Sequence, residues 1–196
     1  MNRRNLLSLF MGSAVALAAA PALALDTKRA TALINAVVGD INRVINSGKS
    51  EQAMYAEFEK IFDRYGDVPI IARSTLGPDA RTASERQMAQ FSDAFGSYLA
   101  RKYGARFREF IGSKITVQDT RKIKSYYEVE TVANLRGQPP FLVVFRVSDR
   151  SGQDRFFDIV IEGISLGKTE RTEIGAMLDA RRGDLDRLIK DLARAG

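Results

Sequence analysis

Residues 127–147 run YEVETVANLRGQPPFLVVFRV, and their reading decides the fold class. Tyr127, Val129, Thr131, Ala133 and Leu135 recur at a period of two, the spacing of a strand with one face turned to a core. Gly137-Gln138-Pro139-Pro140 then turns the chain into a second strand, Phe141 to Val147. Asp149 to Gly152 turns it again, into Phe156 to Ile164, and Ile115 and Val117 mark one more strand upstream. Consecutive strands joined by short turns predict an antiparallel meander. Phe141-Leu142-Val143-Val144-Phe145 is apolar on both faces, so the sequence predicts cover on each side of the sheet centre.

Helical patterns flank the strands. Ala30, Leu33, Ile34, Val37, Val38, Ile41, Val44 and Ile45 repeat at helical spacing from Thr27 to Asn46, with Asp26 or Thr27 as cap. A second helix is expected from Ser50, with Met54, Phe58, Ile61 and Phe62 on one face, and a short one over Val68 to Leu76 before Gly77-Pro78. Thr82-Ala83-Ser84-Glu85 fits a capping box for a longer helix. Its stripe is Met88, Phe91, Phe95, Leu99, Tyr103, Phe107 and Phe110, with Gly104 a kink or break. After the strands, Ile174, Met177 and Leu178, then Leu185, Leu188, Ile189 and Leu192, predict two closing helices. A sheet of about four antiparallel strands, bracketed in sequence by N- and C-terminal helices that wrap it, is an α+β arrangement.

The chain has 196 residues, with Lys+Arg 30 and Asp+Glu 24, and contains no histidine, cysteine or tryptophan. No Ser-His-Asp triad, cysteine nucleophile, imidazole- or thiolate-bound zinc, or disulfide can be built from it. Met1 to Ala24 has the layout of a cleaved secretion signal: Arg3 and Arg4, an apolar run from Leu6 to Ala20, Pro21, then small-x-small at Ala22-Leu23-Ala24. Arg3-Arg4 before Leu6-Leu7 bears a weak likeness to a twin-arginine signal. The expected domain plan is 1–24 as signal and 25–196 as one domain, with helices over 25–112, sheet over 113–168 and helices over 169–196. Removing the signal takes two arginines and no acids, which lowers the net charge from +6 to +4. Export, a small net charge and interleaved signs argue against nucleic acid as a partner and place the protein in the periplasm.

Two apparent motifs lack the spacing their chemistry needs. Gly163-Ile164-Ser165-Leu166-Gly167-Lys168-Thr169 resembles a phosphate-binding loop but has one residue too few between its glycines, and too little chain follows to complete such a domain. Asp158 and Glu162 share a strand face about 13 Å apart at strand rise, beyond the roughly 5–9.5 Å used by glycosidase carboxylates. They read as solvated surface groups. What remains is an excess of apolar and aromatic positions with no visible chemistry. Two readings fit that surplus: a carrier of a hydrophobic ligand, or a structural or interaction module with a large dry core.

Phe91-Ser92-Asp93-Ala94-Phe95 through Tyr98-Leu99-Ala100-Arg101-Lys102-Tyr103 resembles the MlaC family, also called the toluene-tolerance family. So do Asp158-Ile159-Val160-Ile161-Glu162-Gly163-Ile164-Ser165-Leu166 and Gly183-Asp184-Leu185 with Leu188-Ile189. The chain departs from the family pattern at Ala72-Arg73-Ser74-Thr75-Leu76, where an aromatic-rich stretch with tryptophan is usual. The resemblance implies a monomeric, non-enzymatic periplasmic carrier of a glycerophospholipid, with no cofactor or metal. It would exchange lipid between an inner-membrane ABC transporter complex of the Mla type and an outer-membrane lipoprotein–porin complex, maintaining outer-membrane asymmetry. Physical chemistry favours a carrier for this cargo. A lipid of roughly 30 methylenes, each about 0.8 kcal/mol to expose, would need on the order of 20 kcal/mol to escape alone into water. Patterning selects the expected pocket lining: Val129, Val132, Phe141, Val143, Phe145, Ile159 and Ile161 of the sheet, and Phe91, Phe95, Leu99 and Tyr103 of the helical stripe. Val38, Ile41 and Leu188 complete the set. Arg101 and Lys102 are expected to be solvated, with a phosphate contact as the alternative.

Overall fold

A computed structural model of the protein describes residues 24–104 and 109–195. Helix α1 spans Thr27–Ile45, and its start is fixed by the Asp26 carboxylate, which accepts the Arg29 amide. Helix α2, Glu51–Tyr65, is capped by Ser50 in the same way. Helix α3, Val68–Leu76, places Pro69 in its first turn, where a missing N–H leaves no bond unmade. A 3₁₀ turn, Gly77–Arg81, leads to α4, Glu85–Gly104. The capping box of α4 differs from the sequence expectation by two residues. Ser84 Oγ accepts the Gln87 amide while Gln87 Oε1 accepts the Ser84 amide. The described part of α4 runs to Gly104, and Phe107 of the predicted stripe lies outside the described residues.

The strands are β1, Lys114–Ile123; β2, Tyr126–Asn134; β3, Phe141–Ser148; β4, Arg155–Ile161; and a two-residue β5, Ile164–Ser165. They pair in chain order and antiparallel throughout, as the short turns require, with β5 added to the four expected strands. Strand β1 runs well past Val117 because a register shift there lets a charged stretch, Asp119 to Lys122, keep pairing with β2. Charged edges of this kind discourage pairing with another chain. Helices α5, Leu166–Asp179, and α6, Leu185–Leu192, close the fold.

Alternation sorts the sheet into two unlike faces. On the inner face Val129 lies opposite Phe145, Thr131 opposite Val143, and those in turn opposite Ile159 and Ile161. This face packs into one apolar cluster with Ala30, Ile34 and Val37 of α1, Phe91 and Phe95 of α4, Ile174 of α5 and Leu188 of α6. The outer face carries a row of charges, one per strand. Arg121 pairs with Glu128 at 2.9 Å, Glu128 with Arg146 at 3.1 Å, and Arg146 with Asp158 at 3.1 Å. The outer side of β3 is covered at its centre and open at its end. Val144 is buried between its neighbours Glu130 and Val160, whereas Leu142 is 38% exposed.

Burial pushes the Glu128 carboxyl up, but the guanidinium groups of Arg121 and Arg146 outweigh it and hold the group below its ordinary value of 4.5. A depressed carboxyl stabilises the fold above its unfolded pKa, and that contribution is lost as pH falls through the folded value. Thermal melts between about pH 3 and 6 should show stability declining on the acid side, and Glu128→Gln should flatten that decline.

Candidate functional site

The interior between the inner face and the helices gathers nearly all the residues that patterning selects. Phe91 and Phe95 are fully buried and stack with centroids 5.6 Å apart, and Tyr98 follows at 6.3 Å. Val38, Leu99, Val129, Val143, Phe145 and Leu188 are buried in the same cluster, and Ile41, Tyr103, Phe141, Ile159 and Ile161 pack against it half-buried. Phe145 meets Phe156 edge-on at 5.7 Å. Val132 is the correction. It pairs with Thr116 and Leu142 on the outer face, because alternation sends it away from its neighbours Thr131 and Ala133.

The polar groups at the border of this interior hold helices together. Arg101 donates to the carbonyls of Leu192 and Ala195 at 2.6 and 2.8 Å, tying α4 to the end of α6. Lys102 pairs with Glu170 of α5 at 2.7 Å and also with Glu173. Neither cation is simply solvated, contrary to the sequence expectation. Glu170 is 2% exposed, its Oε1 also accepts the Tyr103 hydroxyl, and its Oε2 has no partner among the described residues. Burial lowers the Lys102 ammonium, but its carboxylate partners overcome this and carry it above its usual value. Burial, with the bond to Glu173, pushes the Tyr98 hydroxyl up to about 12.

Asp158 is likewise structural, not a solvated surface group. It accepts from Arg146, from Ser165 Oγ at 2.8 Å and from the amides of Ile159 and Gly167. The glycine-rich loop thus spends an amide on Asp158. Glu162 and Gly163, both at positive φ, form the two-residue hairpin turn from β4 to β5, and Ser165 caps α5.

Two further features have no counterpart in the sequence expectations. A cleft of about 510 Å³ opens between α2, α3, α4 and the β3–β4 hairpin, lined by Glu59, Asp63, Asp67, Asp93 and Arg155 among others. Burial, then Glu59 and Asp93, raise the Asp63 carboxyl above its ordinary value. A carboxylate-rich wall is unsuited to acyl chains. The second feature is an apolar rim. Ile111, Leu142 and Ile164 are 52%, 38% and 64% exposed. They sit at one end of the sheet: Phe110 packs its ring on Phe141, Leu142 bonds Glu162, and Ile164 pairs with Ile161. Half-buried Phe141 and Ile161 connect this rim to the interior.

Among the described residues no helix is long and apolar enough to cross a membrane, and no cluster of His, Cys, Asp or Glu could hold a metal ion. The fold is similar to that of a solved phospholipid-binding protein from Ralstonia solanacearum in complex with a phospholipid. The two chains align with a TM-score of 0.70 and 21% identity, over 84% of this chain and 98% of that one. No curated protein matches the sequence. A model of the MlaC protein family matches residues 34–194, nearly the whole span from α1 to α6. The chain belongs to the MlaC family of periplasmic, non-catalytic phospholipid-binding proteins.

Proposed function

We propose that the protein is a periplasmic carrier that encloses the acyl chains of a glycerophospholipid between the inner face of its sheet and helices α1, α4 and α6. It would pass that lipid between an inner-membrane ABC transporter complex of the Mla type and an outer-membrane lipoprotein–porin complex. The observation that carries this reading is the continuity of one apolar cluster from Leu188 through Phe95 and Val129 to Phe141 and Ile161, ending in an exposed apolar rim. Acyl chains need such a surface and no other chemistry. The interior is closed: Phe91, Phe95, Val129 and Leu188 expose nothing. Lipid uptake therefore separates helices from the sheet, and the rim is where chains would first leave water. The export signal on which the periplasmic placement of this chain rests, Met1 to Ala24, lies outside the described residues, Ala24 excepted.

A phospholipid carrying a diazirine in one acyl chain tests the assignment. Loaded protein irradiated and digested should yield cross-links in the peptides of Phe95, Val129 and Phe145. The outer-face Val132, within the same peptide as Val129, should remain unmodified when fragments are sequenced. Cross-links spread over the outer face and the acidic cleft would count against an interior site.

A further inference from the structure

The first described residues hold an unusual contact. The backbone N–H of Leu25 lies 3.1 Å from Asp149 Oδ2 on the β3–β4 hairpin, and the Leu25 side chain is 9% exposed within the main apolar cluster. One residue later Asp26 caps α1. Arg29 reaches the same hairpin, with Nε 2.7 Å from Asp154 Oδ2, while Asp154 Oδ1 is buried without a donor among the described residues. Of the three carboxylates here, Asp154 pairs with the Arg29 guanidinium, Asp26 accepts the Arg29 backbone amide, and Asp149 accepts the Leu25 N–H. Lys28 and Arg150 are exposed. Among the described residues no positive charge is paired with Asp149.

The sequence places that charge. Ala22-Leu23-Ala24 ends in a small-x-small pattern directly before Leu25. We infer that the exported chain begins at Leu25, and that its new α-ammonium group is bound by the Asp149 carboxylate. Hydrolysis of the Ala24–Leu25 peptide bond consumes one water. Ala24 leaves with a carboxylate, and the Leu25 nitrogen passes from a neutral N–H with one hydrogen to an ammonium with three. The same nitrogen then donates a charge-assisted hydrogen bond where an amide bond stood, the stronger of the two kinds. Removal of the signal in this way completes the anchoring of α1 to the β3–β4 hairpin. The unprocessed chain has the same contact without the charge.

The inference rests on export but not on what the interior holds, so failure of lipid binding would leave it standing. Two measurements test it. Protein purified from the periplasm should give an N-terminal sequence and intact mass starting at Leu25. Any other first residue overturns the proposal. Lipid-stripped chains released from a fusion partner with either Leu25 or Ala24 first are then compared, each with Asp149 or Asp149→Asn. With Asp149, the Leu25-first chain should melt about 2–4 °C higher, the shift that roughly 1 kcal/mol produces in a chain of this size. Asp149→Asn should abolish most of that difference. Equal melting of the two chains, or a difference that survives Asp149→Asn, would show that the new amine is not held there.

Discussion

Lys102→Met should destabilise the protein by about 3 kcal/mol or more, the cost of leaving a buried charge without its partner. Glu170 is 2% exposed, and its Oε1 receives both Lys102 and the Tyr103 hydroxyl, while Oε2 receives no donor among the described residues. Removing the ammonium leaves a carboxylate with one neutral donor inside the α4–α5 contact. The pair itself contributes much less than this figure, because burying both charges already cost solvation. Urea titration of Lys102→Met, Glu170→Leu and the double variant separates the two quantities. The double variant should recover most of the loss of the first, and strict additivity would mean that the groups do not act as a pair.

Phe95→Ala should have a comparable effect, about 3–5 kcal/mol in the lipid-free protein, because a fully buried ring is replaced by a cavity. Its neighbours Phe91 and Tyr98 lose their ring contacts at the same time. If this stripe lines the acyl-chain site, bound lipid fills part of the space in the variant. The denaturation midpoint of lipid-loaded Phe95→Ala should then fall less than that of the stripped variant, since a ligand bound only to the folded state stabilises it. An equal fall in both forms would make Phe95 ordinary core, remote from lipid.

Much of the architecture is legible in the sequence because burial on one face writes a period into it. The run Tyr127, Val129, Thr131, Ala133, Leu135 is buried at every member, and the α1 and α4 stripes supply most of the buried apolar residues of those helices. The same alternation argues against Val132, whose apolar character alone recommends it. Strand β1 is legible only at Ile115 and Val117, since an edge strand with Arg121 and Lys122 has no apolar period to read. Long-range polar roles leave no local trace. Arg101 on the α6 carbonyls, Lys102 on Glu170 and Asp158 on the Gly167 amide each join residues that only folding brings together. Within the D-x-x-x-E-G-x-S-L stretch, the geometry supplies reasons: an amide acceptor, a hairpin turn at positive φ and a helix cap. The acidic cleft is invisible in the sequence for a similar reason, as its carboxylates come from α2, the turn before α3, and α4.

Whether the apolar interior holds phospholipid is tested most directly by counting lipid on the protein. Native mass spectrometry of protein freshly purified from the periplasm should show one phospholipid per chain, recoverable by solvent extraction. Protein stripped of lipid should regain it from liposomes. A chain that is isolated without lipid, and takes up none from liposomes, would contradict a carrier role.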